Sequence, residues 1–192
     1  MRAARLLTLG LLLPLIGPGA AAADDGSDLV ILSSYRSLVG GNARPRPRAH
    51  AGIDIAAPAG TPVLAAAAGT VFLLLDYEPG CGIGVVLAHP QLGRWTAYCH
   101  LTRALVSRGQ DVARGHPIGL SGASGNAAHV PHVHLEVCTS ACGSHRDGDL
   151  RGTQDPEALL VGCFDPARSY PTDRLALTWP IDCRPAAAEA RP

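Results

Sequence analysis

Five side chains in this sequence, four histidines and one aspartate, belong to the residue types that bind transition metals and transfer protons. They fall in three short motifs, HAGID at residues 50–54, YCH at 98–100 and HVH at 132–134. A set of this kind can hold one metal ion and leave further imidazoles to act on water beside it. For that chemistry the chain must fold so that the three motifs meet at one place.

The HVH motif continues as His132-Val-His134-Leu-Glu136. Alternate side chains of a β-strand share a face, so the two histidines and Glu136 are expected to point the same way. One imidazole could then bind a metal while the other acts on water. Taken alone, the motif favours the alternative, a pair of surface histidines.

In the HAGID motif the two candidate ligands, His50 and Asp54, stand four residues apart. An extended strand separates such residues by roughly 13 Å, whereas ligands of one zinc ion each lie about 2.0–2.2 Å from the metal. The backbone must therefore curl, and Gly52 is the residue that permits it. An equally weighted alternative is that Asp54 caps a turn beside an unrelated histidine. A single histidine such as His100 is more often structural.

Short apolar runs of four to eight residues, bounded by Gly or Pro, alternate with turn residues from His50 onward. This pattern predicts successive strands rather than helices. The predicted strands are 53–56, 62–66, 69–76, 83–89, 95–101 and 133–138. Pro90 to Gly93 is expected to be the turn of a hairpin, 119–126 a Gly/Ser-rich loop, and 155–160 a short capped helix.

Composition limits the function classes. The chain has 192 residues, of which 47% are hydrophobic but only 4% are aromatic. Its 16 acidic residues balance 16 basic residues, and every basic residue is an arginine. No block of like charge is long enough to steer nucleic acid, so no nucleic-acid partner is expected. Three arginines alternate with prolines in Arg44-Pro-Arg46-Pro-Arg48, which predicts an extended segment. A solvated loop is favoured there over an anion-docking strip.

The N-terminus has the pattern of an export signal. Arg2 and Arg5 precede an apolar stretch at 6–16 and a run of small residues at 17–23. The apolar stretch is about half of the ~20 residues that span a bilayer. We therefore expect a signal peptide over residues 1–23 and no membrane anchor.

Six cysteines follow this segment, and an even count in an exported chain indicates disulfides. Local pairings are favoured among the 15 possible connectivities: Cys81–Cys99, Cys138–Cys142 and Cys163–Cys183. A thiolate zinc site is the competing use, but the chain has no CxxC pair.

The ordered combination of motifs resembles a known family, the lysostaphin-type zinc metallopeptidases, also called LytM-like peptidoglycan endopeptidases. The resemblance runs from about residue 33 to 160. It rests on HAGIDIA with Pro58, GTPV at 60–63, GTV at 69–71, GIG at 82–84, YCHL at 98–101, the loop 119–125, and PHVHLEV at 131–137. Val130-Pro131 replaces the family's usual Gly-Pro, and the cysteine-bearing insertion from Cys138 to about 152 is unusual.

The resemblance implies a site. His50, Asp54 and His134 would be the ligands of one Zn²⁺ per chain, and His100 and His132 the two catalytic histidines beside it. One would take the proton of water and the other would steady the oxyanion, and the assignment between them stays open. Asp111 and Glu136 either orient these imidazoles or are solvated carboxylates.

The resemblance also implies a mostly β fold, a compact antiparallel β-sheet domain of the lysostaphin/LytM type (a duplicated hybrid motif) with few short helices. The expected organisation is a signal peptide at 1–23, an irregular segment at 24–49, the zinc metallopeptidase domain at 50–165 and a C-terminal tail at 166–192.

The expected function is that of a monomeric, periplasmic or extracellular peptidoglycan endopeptidase that hydrolyses peptide bonds in cross-links or stem peptides. The alternative is a non-catalytic LytM-like regulator that activates a wall amidase. Such regulators usually lack some metal or catalytic residues, whereas all five are present here.

Overall fold

The structure is a computed structural model that describes residues 29–127, 129–140, 142 and 150–182, with only the backbone of residues 77 and 78. The proposed signal peptide, the end of the tail and most of the cysteine-bearing insertion lie outside these residues. Within the described part, no helix has the length and apolar character that crossing a membrane requires.

The described part of the fold contains eleven strands in two antiparallel sheets, which confirms the predicted mostly β, antiparallel class. The larger sheet has the order β1-β2-β10-β6-β5-β4-β8, with β11 also pairing with β10, and the smaller has the order β3-β9-β7. The strands are β1 Ile31–Ser33, β2 Ile53–Ala56, β3 Pro62–Leu64, β4 Gly69–Glu78, β5 Gly82–His89, β6 Arg94–Leu101, β7 Arg103–Ala104, β8 Asp111–Val112, β9 Pro117–Leu120, β10 His132–Cys138 and β11 Thr153–Gln154.

The main core joins the two sheets. It combines residues of the larger sheet, such as Ile53, Tyr98 and Leu135, with Val63 and Ile118 of the smaller one, all fully buried. Burial of each aliphatic side chain in this set contributes about 1.5–3 kcal/mol relative to exposure. The core therefore fixes β2, β6 and β10, the three strands that carry the motifs.

Two short connecting segments form 3₁₀ turns at the positions where the sequence predicted a turn and a short helix. Pro90–Leu92 forms a 3₁₀ turn that ends at Gly93, whose φ of 57° is the left-handed conformation that glycine adopts readily. The helix predicted at 155–160 is a single 3₁₀ turn, Glu157–Leu159, and Asp155 Oδ1 accepts the Glu157 N–H at 2.9 Å. Both turns were predicted, although the second is shorter than expected.

Two segments outside the predicted peptidase domain contribute to the fold. Within 24–49, β1 pairs with β2, and Ser33 is buried. Within the predicted tail 166–192, residues 175–181 are buried, and the Leu177 N–H donates to Leu159 O at 2.8 Å. A three-residue strand is too short to show an alternating pattern, and the tail residues lack the flanking turns that mark a strand.

Two of the three predicted disulfides are confirmed, Cys81–Cys99 and Cys138–Cys142. Cys163 is disulfide-bonded. Its predicted partner, Cys183, lies outside the described residues, so that pairing stays a prediction. The absence of free thiols among the described cysteines removes the thiolate zinc alternative for them.

Candidate active site

Strand pairing brings the first and last motifs together. Asp54 on β2 lies directly opposite His134 on β10 in the antiparallel register. Directly opposed residues have Cβ atoms about 4.5–5.5 Å apart on one face of the sheet. His50 reaches the same point from the bend that precedes β2, so the backbone does curl between His50 and Asp54, as expected.

Three side-chain atoms converge there. His50 Nε2 lies 3.0 Å from Asp54 Oδ1, His134 Nδ1 lies 3.0 Å from the same oxygen, and the two nitrogens are 2.9 Å apart. A triangle of this size has all corners about 1.7 Å from its centre, so one zinc ion can lie about 2.0–2.2 Å from every corner. The two-imidazole, one-carboxylate donor set is also one that zinc accepts. The residues therefore fit the metal that the resemblance implies.

Backbone carbonyls set the tautomers of three histidines. In each case the Nδ1–H donates to a main-chain oxygen, and the neutral ring then carries its lone pair on Nε2. The pairs are His50 with Ser34 O at 3.0 Å, His100 with Ser124 O at 2.8 Å and His132 with Val130 O at 2.7 Å. His132 Nε2 lies 3.5 Å from Asp54 Oδ1, so it faces the three converging atoms.

Burial and neighbouring groups shift the pKa values of His100, His134 and Asp54 in different directions. Burial, and then the charges of His134 and His132, lower the pKa of His100 to about 3. Burial alone would also lower the pKa of His134, but hydrogen bonding with Asp54 and Glu136 raises it to about 9. Burial would raise the pKa of Asp54, yet hydrogen bonds from three histidines hold it far below its usual range. The metal-free site at pH 7 therefore pairs a protonated His134 with an ionised Asp54.

Zinc binding at pH 7 should consequently release a proton, because a ligand imidazole must be deprotonated. The raised pKa of His134 means that protons occupy the ligand below pH 9, so zinc affinity should fall as the pH falls from 9 to 6. Calorimetry in two buffers of different ionisation enthalpy measures the release, and we expect about one proton per zinc. Equal heats of zinc binding in both buffers would show that no proton is released and would contradict a protonated His134.

His100 enters the cleft through an unusual backbone conformation. Its neighbour Cys99 lies opposite His134 in the β6–β10 register, so strict alternation would turn His100 away with the fully buried Tyr98. Instead His100 has a φ of 64°, rare for a residue with a side chain. Its ring centroid lies 4.7 Å from that of His132. The site therefore contains a local strain that strand pattern does not reveal.

Gly52 is required for close approach rather than for an unusual φ, because it is not among the described glycines in the left-handed region. A Cβ at this position would lie 2.2 Å from Leu135 O and 3.0 Å from His134 Cε1. We expect Gly52→Ala to lower the free energy of unfolding by about 3 kcal/mol, because backbone of β10 must move.

Chemical denaturation measures this effect, with Gly60→Ala as the control. Gly60 has a φ of 87° but open space where its Cβ would be, so only backbone strain of about 1–2 kcal/mol is expected there. Equal stability of wild type and Gly52→Ala would show that β10 can move away without loss.

Two residues that contact the site were not singled out as site residues by sequence. Arg46 donates from Nη2 to Asp54 Oδ2 at 2.5 Å. The sequence feature that could have indicated this contact is the alternation of arginines with prolines at 44–48. Ser124 holds His100 through its carbonyl, while its Oγ donates to Leu101 O and accepts from the Ile83 N–H. Asp111 bonds to Thr70 instead, so it does not orient these imidazoles.

All five predicted side chains line one cleft of about 980 Å³. Glu136 also lines it, with Oε2 3.8 Å from His134 Nε2. The third motif contributes only His100, because Tyr98 is fully buried and accepts the Ala66 N–H through its hydroxyl. Two imidazoles therefore stand beside a set of three candidate metal ligands, an arrangement suited to metal-assisted hydrolysis.

The sequence of this β domain matches the model of peptidase family M23 over residues 48–146, just over half of the chain, and the chain belongs to this family. The resemblance to the lysostaphin-type peptidases is confirmed. The peptidoglycan DD-endopeptidase ShyA of Vibrio cholerae is 42% identical over 88 residues, which are 46% of this chain and 20% of ShyA. The uncharacterized lipoprotein YgeR of Escherichia coli is 35% identical over 107 residues, 56% of this chain and 38% of YgeR.

Solved structures agree with this fold. The catalytic domain of lysostaphin from Staphylococcus simulans has a TM-score of 0.52 at 26% identity, covering 66% of this chain and 85% of that domain. A variant of the catalytic domain of the prophage-encoded M23 protein EnpA from Enterococcus faecalis has a TM-score of 0.54 at 30% identity. This match covers 71% of this chain and 97% of that domain. The matched region is only about a fifth of the length of ShyA.

Proposed function

We propose that this protein is a zinc-dependent peptidoglycan endopeptidase that hydrolyses peptide bonds in the cross-links or stem peptides of the bacterial wall. The observation that carries this proposal is the convergence of His50 Nε2, Asp54 Oδ1 and His134 Nδ1 within 3.0 Å of one another, with His100 and His132 beside them. The relatives support the substrate, since ShyA is a peptidoglycan DD-endopeptidase.

In this proposal His50, Asp54 and His134 hold one zinc ion per chain. When bound, zinc supplies a Lewis acid that polarises the scissile carbonyl and lowers the pKa of water. Either ring, in the tautomer with the lone pair on Nε2, can accept the proton of the attacking water, and a ring that carries a proton on Nε2 can donate a hydrogen bond to the developing oxyanion. The assignment of the two roles to His100 and His132 stays open. The backbone carbonyls on their Nδ1 atoms keep both rings in the orientation that these roles need.

The rival function, a regulator of a wall amidase without activity of its own, finds less support. A regulator needs no proton-transferring group, so nothing in that role requires the left-handed backbone that turns His100 toward His132. Strained conformations persist where the fold overdetermines them and are concentrated at active sites. The pair of imidazoles therefore favours catalysis.

Hydrolysis of purified, cross-linked peptidoglycan by the zinc-loaded protein tests the proposal. We expect soluble fragments and new amino groups to appear, and Gly60→Ala, which does not line the cleft, to retain this activity. A zinc-loaded, folded protein that releases nothing but increases the activity of an added amidase would support the regulator instead.

We further propose that the protein acts as a monomer in the cell envelope, either periplasmic or extracellular. Two disulfides fit an oxidising compartment. The division into a signal peptide at 1–23, an N-terminal segment, a peptidase domain and a C-terminal tail is part of this proposal. Mass measurement of the mature N-terminus after expression in a bacterial host tests cleavage after Ala23.

A further inference from the structure

Three arginines form one wall of the cleft that contains the candidate metal site: Arg44, Arg46 and Arg48. Backbone hydrogen bonds hold the segment in place, because the Gly40 N–H donates to Arg44 O at 2.9 Å and the Arg46 N–H donates to Leu38 O at 2.7 Å. Pro45 forms a β-bridge with Val39, and all three arginines line the cleft. The arginine wall is therefore a fixed feature of the cleft.

Arg44 is the residue of this wall whose charge the described residues leave unpaired. The cleft's acidic lining residues are Asp54 and Glu136, and both already face cations or imidazoles, Arg46 and the histidines for the first and His134 for the second. Arg44 is exposed, and its guanidinium has no ion pair with any residue that the structure describes. Arg46 Nε has no hydrogen-bond partner among the same residues, but it is buried and so is not the first contact for an anion. The exposed guanidinium of Arg44 is the group of this wall that can accept one.

We infer that the arginine wall, with Arg44 as its main contact, binds a free carboxylate on the amino acid that adjoins the scissile bond of the substrate. This inference rests on the proposed function. Arg46 connects the wall to Asp54 Oδ2, and Arg44 lines the same cleft, so an anion on Arg44 lies in the cleft that contains the candidate metal ligands. An amide formed on the α-amino group of an amino acid leaves its α-carboxylate one carbon away from that amide. Guanidinium groups bind carboxylates by charge-assisted hydrogen bonds.

A pair of synthetic cross-link mimics tests the inference by binding alone. Both carry a ketomethylene group in place of the scissile amide, so that they are not cleaved. One has a free α-carboxylate next to it and the other has a carboxamide. Calorimetric titration of the zinc-loaded protein should show about tenfold tighter binding of the carboxylate. The preference should weaken in high salt, because exposed charges are screened.

Arg44→Gln should make the two affinities equal, while Arg44→Lys should keep part of the preference. Arg108→Gln removes the same charge from an exposed turn that does not line the cleft, and it should behave as the wild type. Equal affinities in the wild type, or a preference that survives in Arg44→Gln, would overturn the inference.

The binding assay separates this inference from the proposed function. Peptidoglycan hydrolysis without a carboxylate preference would overturn the carboxylate site and leave the endopeptidase proposal in place. A carboxylate preference lost in Arg44→Gln, in a protein that hydrolyses nothing, would support the carboxylate site and contradict the endopeptidase proposal.

Discussion

His132→Ala should lower peptidoglycan hydrolysis by about 10²–10⁴-fold while zinc content stays at one equivalent per chain. His132 is not one of the three converging ligands, but its Nε2 faces them at 3.5 Å from Asp54 Oδ1. Its loss removes a group that transfers a proton or stabilises negative charge, and it leaves His50, Asp54 and His134 in place. Fragment release from purified peptidoglycan and zinc analysis of the same sample measure the two effects.

His116→Ala is the matched control, because His116 is exposed and does not line the cleft. It should retain both activity and zinc. Undiminished hydrolysis by His132→Ala would remove His132 from the mechanism, and loss of zinc in that variant would instead make it a ligand.

The second large effect is expected for His134→Ala, which should lose zinc and with it all detectable hydrolysis. Removal of Nδ1 leaves only His50 and Asp54 of the converging set, and two protein ligands are fewer than the three of a catalytic zinc site. Metal analysis after dialysis measures the loss. Added zinc should not restore activity at concentrations that saturate the wild type.

His89→Ala provides a control for the removal of a buried histidine. His89 lies outside the cleft lining, and its ring bonds to Ala68 O and Thr96 Oγ1. We expect this variant to be less stable and to bind zinc normally. Full zinc content in His134→Ala, or zinc loss in His89→Ala at temperatures where it is folded, would contradict the assignment of His134 as a ligand.

The strands could be predicted from sequence because their apolar runs are short and bounded by Gly or Pro. The predicted 53–56 is β2, and 83–89 and 95–101 each lack only the first residue of β5 and β6. In the HVH motif, period-two alternation explains why His132 and His134 both reach the cleft. The local residue pattern was therefore sufficient to predict the positions of site residues that lie on one strand.

The rest depended on contacts between distant segments. The position of His100 comes from a left-handed φ that alternation does not encode, and the contact of Arg46 with Asp54 comes from how the N-terminal segment folds back. The sequence predicted that Gly52 is needed so that the backbone can curl. The structure shows that glycine is needed there because Leu135 O approaches too closely for a Cβ. The structure brings all five predicted side chains into one cleft, and their roles as ligands and catalysts stay predictions.

Removal and return of zinc is the most direct test of the central claim, that His50, Asp54 and His134 hold a zinc ion on which hydrolysis depends. The wild-type protein is incubated with defined cross-linked peptidoglycan before chelation, after chelation and after addition of one equivalent of zinc, and released fragments are identified by mass. We predict peptide-bond cleavage that disappears on chelation and returns with zinc. Cleavage that continues in the verified metal-free protein would contradict the account.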